Sequence, residues 1–550
     1  MPARIAPALT ATSLLLTAML LAPSFAAEKP NIVLIMVDDM GYSDIRPWGG
    51  EIDTPNLDTL AKGGLRFTQF YNSARCCPTR ATLMTGLHPH EIGIGHMTAE
   101  ESAANKGVPP AYAGNINDSC VTLAQVAKSA GYATFMAGKW HLAGKDQADW
   151  PLQRGYDRYY GCLAGAVHQF APYGARLMYD GNTPDPVPKS TTDRPFYTTD
   201  AFADHARRFI DDHKAGAGKD KPFFLYLAFT APHWPHHAHD QELAKYRGKY
   251  ALGWDKLREQ RFARQQESGL IPKSWQISPR DPEVPAWDSL DERQQTECAD
   301  RMAAYAGMID RVDQKIGDLI ATLKKHHAFD NTLILFLSDN GACAEASLLG
   351  KGDPVKDRAP DTELTLPSYG KAWANASATP YRLYKHFAHE GGSNTPFIAH
   401  WPARIKGGRD WFREPAQLID VMATVVDVTG AIYPKECNGH AILPADGIPL
   451  TPAFDGKPLA RKQPIFIEHE NNAFVRDGEW KLVGKDVSPP RGLQRNQWEL
   501  YRIDEDGTEL HDLAKEQPGK VAELSAKWET WAKRAGVYPK APPKSAKKQP

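Results

Sequence analysis

Cysteine is scarce in this chain, with seven in 550 residues and no pair spaced C-x-x-C. That density excludes a disulfide-stapled scaffold and a cysteine-based zinc module. Charge of one sign is also lacking: 65 Lys and Arg stand against 66 Asp and Glu, a net charge of -1. Such balance speaks against general nucleic-acid binding or a cationic membrane surface, so any anion specificity must come from a local site. Beyond the first 26 residues no apolar run is long enough to cross a bilayer. There are no internal repeats.

What the chain does have begins at its N-terminus. Arg4 is followed by the apolar stretch Leu14–Leu21 and by Ser24-Phe25-Ala26. This pattern predicts a signal peptide over residues 1–26, cleaved after Ala26, and export to the periplasm or beyond. No cysteine stands at the cleavage point, so no lipid anchor is expected. Export would permit bridges among the cysteines, with their pairing left open.

Four short apolar runs, Asn31–Val37, Phe223–Phe229, Thr332–Leu337 and Thr395–His400, read as buried strands. Between them, Tyr305, Met308, Ile309, Val312, Ile316, Leu319, Ile320 and Leu323 recur at helical spacing. Leu123, Val126 and Ala127 do the same. The alternation predicts an α/β fold with a large, mostly parallel sheet flanked by helices. The first three runs end in Asp38-Asp39, Thr230-Ala231-Pro232-His233 and Ser338-Asp339-Asn340, where ligands of such sheets bind. Residues 236–300 show little periodicity and read as a long insertion over one edge. Beyond about 440 the texture changes to short strands at 464–468, 472–476 and 479–483, then a helix carrying Val521, Leu524, Trp528 and Trp531. The expected organisation is a catalytic domain over 27–440, a smaller antiparallel sheet plus helix over 441–538, and a disordered tail over 539–550.

Several segments suggest chemistry. In Cys76-Cys77-Pro78-Thr79-Arg80, Pro78 suits the first turn of a helix, whose N-terminal N–H groups favour an anion at Cys76. Arg80 offers a planar fork for oxyanions. Lys139 and His141 are two apart and would share a face of an extended segment. Asp38, Asp39, Asp339 and Asn340 supply hard oxygens, a set suited to Ca²⁺ or Mg²⁺ rather than zinc. His236, His237 and His239 lack zinc-site spacing and read as insertion residues, and His386 and His389 as structural ones.

Together these segments resemble the sulfatase family, within the alkaline phosphatase-like superfamily. Residues 76–80 match its C-x-P-[ST]-R signature, in a register that selects Cys76 over Cys77. Gly131–His141 resembles its second signature, Ala231-Pro232-His233-Trp234-Pro235 its A-P-H-x-P segment, and Lys385–Gly392 its K-x-x-x-x-E-G-G segment. The likeness covers residues 30 to 535 and is nearest to bacterial arylsulfatases. It implies a formylglycine made from Cys76 by a sulfatase-modifying enzyme, and one Ca²⁺ held by Asp38, Asp39, Asp339, Asn340 and residue 76. It further implies that Arg80, Lys139 and Lys385 hold sulfate, His141 contacts the formylglycine diol, and His233 protonates the leaving oxygen. Leu87 and Asn394 depart from family patterns and put substrate contacts in question. The resemblance to bacterial arylsulfatases in the insertion and around Lys385 implies an aryl sulfate as substrate, with Trp140, Trp234 and Tyr384 as lesser support for an apolar entrance. A carbohydrate sulfatase, a phosphoester or phosphonate monoester hydrolase, and a silent sulfoglycan-binding protein are the rivals.

Overall fold

The computed structural model describes Met1 and residues 29–98, 108–144, 146–172, 176–186, 195–358, 366–487 and 498–539. Apart from Met1, the expected signal peptide lies outside this set, as does nearly all of the expected tail. A nine-stranded sheet forms the centre. Its order is 65–67, 397–400, 332–338, 31–37, 223–228, 133–139, 158–162, 178–180 and 183–185. The five central strands are parallel. Strand Phe397–His400 runs antiparallel to 332–338, a direction its apolar run alone did not reveal.

Strand Asn31–Val37 shows why both faces are covered. Val33, Ile35 and Val37 enter one core, and Ile32, Leu34 and Met36 enter the other. Alternation across a strand buried on both sides demands an unbroken apolar run. The first core is closed by helices Thr198–Ala215 and Glu292–Lys325, and all eight helical residues picked out between 305 and 323 are buried there. Asp291 and Gln294 form a capping box that starts the longer helix. The second core is closed by helices Cys76–Thr85, Leu123–Ser129 and Ile419–Thr429.

Two regions differ from expectation. The insertion contains helices Asp240–Tyr246 and Gly253–Glu267. The second escaped hydropathy because its buried face is partly polar. Arg261 bonds Asp44 and Glu51, Arg258 bonds the Ser278 carbonyl, and Gln265 bonds the Trp48 and Thr379 carbonyls. The smaller sheet has four antiparallel strands, 465–469, 472–477, 480–484 and 499–502, the last of them not foreseen as a strand. Helix Pro518–Arg534 packs on this sheet through Val521, Leu524, Trp528 and Trp531.

Candidate active site

The site forms where adjacent parallel strands end together. Val37 pairs with Ser338, so Asp38-Asp39 and Asp339-Asn340 emerge side by side. The Asp39 amide donates to Asp339 Oδ1 at 3.1 Å, and Asn340 Nδ2 donates to Asp39 Oδ1 at 2.7 Å. Asp39 turns through left-handed backbone, φ 65°, which aims it back over the sheet edge.

Four basic side chains close on these carboxylates, and a fifth stands beside Cys76. Arg80 lies 2.9 Å from Asp339 and 3.4 Å from Asp38. Lys139 Nζ is 2.5 Å from Asp38, and Lys385 Nζ is 2.9 Å from Asp39. His233 Nε2 sits 3.4 Å from Asp39, while its Nδ1 bonds the Trp234 carbonyl at 2.6 Å. His141 joins Cys76 and Cys77, their ligand atoms lying within 4.8 Å of one another. All ten expected residues therefore gather at one end of the sheet, and none is more than 5% exposed. Lys139 ends its strand. His141 reaches the cluster through left-handed backbone, φ 53°, rather than by the strand alternation expected of it. Gly138 lets that strand approach its neighbour, since a Cβ there would lie 1.9 Å from the Ala228 carbonyl oxygen.

Cys76 begins helix Cys76–Thr85. A hydrogen bond from Cys77 holds its thiol well below the usual range; burial opposes this, and Lys139 and His141 reinforce it. Position 76 thus lies in a field that favours negative charge. Burial lowers the His141 pKa to about 4 and lowers that of His233, against the pull of Asp39. Burial also acts on Asp39, but Lys385 and His233 outweigh it and bring its pKa to about 2. Asp38 and Asp339 are instead raised by burial, against the pull of Lys139 and Arg80; Asp39 adds to the rise at Asp38, and Asp38 to the rise at Asp339.

The donor set suits a hard cation. Asp38 Oδ1 and Asn340 Oδ1 are buried without a hydrogen-bond partner, as unspent oxygen ligands would be. Three carboxylates, Asp38, Asp39 and Asp339, face three permanent cations, Arg80, Lys139 and Lys385. A divalent ion added to this balance leaves a net positive pocket that an anionic ester can neutralise.

Sequence reasoning missed Glu345. It contacts Arg75 at 2.7 Å, Lys385 at 3.5 Å and the Trp234 indole at 3.2 Å, and nothing in its loop announced this. Other expectations need correction. Trp140 is wholly buried and bonds the Asp149 carbonyl, so it belongs to the interior and lines no entrance. Leu87 and Asn394 do not face a substrate either. Leu87 lies in the second core, and Asn394 bonds Thr68, Tyr381 and Glu390 in the interior. The three insertion histidines need no correction: His236 packs between Tyr305 and Tyr369, His237 bonds the Asp357 carbonyl, and His239 faces Asp200.

A doubly covered, mostly parallel sheet with a buried oxygen-and-cation cluster at its strand ends defines an ester hydrolase of the alkaline phosphatase-like fold. The sulfatase family model matches residues 30–431, and the chain belongs to that family. It is 34% identical to an uncharacterized sulfatase, PB10D8.02c, of Schizosaccharomyces pombe, over 93% of this chain and 95% of that protein. It is likewise 34% identical to an arylsulfatase of Klebsiella aerogenes, over 79% of this chain and 94% of the relative. The solved structure of Ps i-CgsB with a neocarrahexaose superposes with a TM-score of 0.65 at 26% identity, covering 92% of this chain and 93% of that one.

Proposed function

We propose that this sulfatase hydrolyses aryl sulfates, using a formylglycine at position 76 and a calcium ion held by Asp38, Asp39, Asp339 and Asn340. The observation that carries the reading is the buried ring of Arg80, Lys139, Lys385, His141 and His233 around Cys76 and the three carboxylates. Formylglycine supplies a hydrated aldehyde whose hydroxyl is the nucleophile toward sulfur, and calcium supplies fixed positive charge for the sulfate oxygens. The protein's own groups do the rest. Arg80, Lys139 and Lys385 bind and orient the sulfate and offset its developing charge. Asp339, whose carboxyl burial makes more basic than usual, takes a proton from the nucleophile. His233 donates Nδ1–H to the Trp234 carbonyl, so a proton at Nε2 for the leaving oxygen makes the ring an imidazolium, the form that Asp39 favours against burial. His141, kept neutral by burial, is the base for the second hydroxyl. Burial of every group keeps bulk water from competing for these charges.

The aryl assignment draws on the likeness to the Klebsiella arylsulfatase and on Trp234 and Tyr384 beside the site. One observation favours a second reading, a sulfated sugar. The pocket leading to Lys385, about 350 Å³, is rimmed by Asp281, Glu283, Glu345, Lys371 and Lys485. Hydroxyl groups would find partners on such a rim. Comparing kcat/KM for nitrophenyl sulfate with that for sulfated monosaccharides and oligosaccharides decides between them. A preference for a sugar above about tenfold, ~1.4 kcal/mol of transition-state binding, replaces the aryl reading with the carbohydrate one. Delivery outside the cytoplasm through residues 1–26, after modification of Cys76 by a sulfatase-modifying enzyme, completes the proposal.

A further inference from the structure

We propose that His386, His469 and Glu470 form a second metal site, for a borderline divalent ion of the zinc class, distinct from the oxygen-lined site at the strand ends. Two separate parts of the chain build it. His386 directly follows Lys385 and adopts left-handed backbone, φ 83°. His469 ends strand Ile465–His469, and Glu470 and Asn471, φ 48° and 69°, form the two-residue tip of the hairpin that pairs His469 with Asn472. The hairpin belongs to the smaller sheet, yet its tip reaches the segment that carries Lys385.

The ligand atoms of the three residues lie within 4.8 Å of one another. His386 Nδ1 is 2.7 Å from Glu470 Oε2, and His469 Nε2 is 3.5 Å from Glu470 Oε1. Around a tetrahedral ion with bonds near 2.0–2.1 Å, neighbouring ligand atoms stand about 3.3 Å apart. Two imidazoles and a carboxylate are a nitrogen-rich set, which suits zinc better than calcium. His96 stands close enough to join, its Nδ1 3.9 Å from Glu470 Oε1 and its ring 6.0 Å from that of His469.

Two further observations point to a ligand. His469 is completely buried; its Nδ1 has no hydrogen-bond partner, and its Nε2 faces Glu470 only at a distance too long for a good hydrogen bond. A buried imidazole with so little to bind is costly unless something else occupies it. The far nitrogen of His386, Nε2, lies 3.1 Å from Glu345 Oε1 and also against the Arg75 guanidinium, and Glu345 is itself held by Arg75 and by the Trp234 indole. A carboxylate behind a histidine is the usual device for orienting a metal-binding ring. With neutral imidazoles, Glu345 and Glu470 stand against Arg75 and Lys385, so the patch is close to neutral before an ion enters. An ion there would tie the Lys385 segment to the smaller sheet, and it depends on neither calcium nor formylglycine.

The test uses the full chain, stripped of metals and reloaded with calcium, then titrated with Zn²⁺ by calorimetry and checked by elemental analysis. The wild type is expected to take up one zinc per chain and to melt at a higher temperature with zinc than without. His469→Ala and Glu470→Gln are expected to bind zinc at least tenfold more weakly, with calcium content and zinc-free melting temperature retained. Glu345→Gln, which removes the carboxylate behind His386, is expected to weaken zinc by about 10–100-fold. Zinc uptake by His469→Ala and Glu470→Gln equal to that of the wild type overturns the proposal. So does a wild type that takes up no zinc.

Discussion

Replacing His233 with alanine separates proton donation from every other task at the site. The ring lies 3.4 Å from Asp39 and bonds the Trp234 carbonyl at 2.6 Å. Its loss forfeits one hydrogen bond, about 1 kcal/mol of stability. Asp39 keeps Lys385 at 2.9 Å and Asn340 at 2.7 Å, so its buried charge stays compensated and the fold should survive. The catalytic loss is of another order. A positioned general acid contributes about a hundredfold to ten-thousandfold, or ~2.7–5.4 kcal/mol. That contribution is needed only when the leaving alcohol is a poor one. His233→Ala should therefore slow an alkyl or sugar sulfate by at least about a hundredfold while slowing nitrophenyl sulfate far less. The assay is kcat/KM across a series of sulfate esters graded by leaving-group pKa, and the variant should show the steeper dependence. Equal losses across the series would refute the assignment of His233 as acid.

Peptide mass spectrometry of active protein should find an aldehyde at position 76 and an intact thiol at Cys77; activity with an unmodified Cys76 ends the formylglycine reading. Asp339→Ala removes a ligand and leaves Arg80 short of its 2.9 Å partner, so calcium content and turnover should fall together. Full activity in calcium-free wild type contradicts that site. Lys481→Met leaves Glu390 and Glu509, now 2.6 and 2.9 Å from the ammonium, as poorly compensated buried charges. A cost of about 3–5 kcal/mol in chemical denaturation is expected, and a cost below about 1 kcal/mol would show the pair to be idle. Burial acts to raise the Glu509 carboxyl, but Lys481, His389 and Arg382 hold it below its ordinary 4.5. A lowered folded pKa contributes stability above 4.5 that is lost as pH falls through the lower value. Glu509→Gln should thus flatten the acid limb of stability against pH, and an unchanged limb counts against the reasoning.

The legible parts of this molecule were those whose physics is local. Runs such as Asn31–Val37 and Thr332–Leu337 had to be strands buried on both faces, and the polar residues after them had to meet if the strands were neighbours. Tyr305 to Leu323 declared their helix by spacing alone. Illegible parts depended on partners far along the chain. Helix Gly253–Glu267 buries Arg258, Arg261 and Gln265 against carboxylates and carbonyls from other segments, so its inner face resembles an outer one. The direction of Phe397–His400 is set by where its connection crosses, which an apolar run does not encode. Trp140 sat beside Lys139 in sequence, yet its indole turns inward to the Asp149 carbonyl. Glu345 meets Arg75 and Lys385 only because three loops converge.

The burial of Cys76 has a consequence for the life history of the chain. Its side chain is 3% exposed, locked into the first turn of a helix whose residues are all buried. No second protein can wrap its own active site around such a thiol without first unravelling that helix from the second core. Any enzyme that acts on Cys76 must therefore meet the segment while it is still extended, ahead of the sheet closing over it. Under the modification proposed for Cys76, folding and modification compete for the same short interval. On the proposed formylglycine reading, fast collapse, ordinarily an asset, becomes a route to inert protein, and slow docking of helix Cys76–Thr85 favours yield of active molecules.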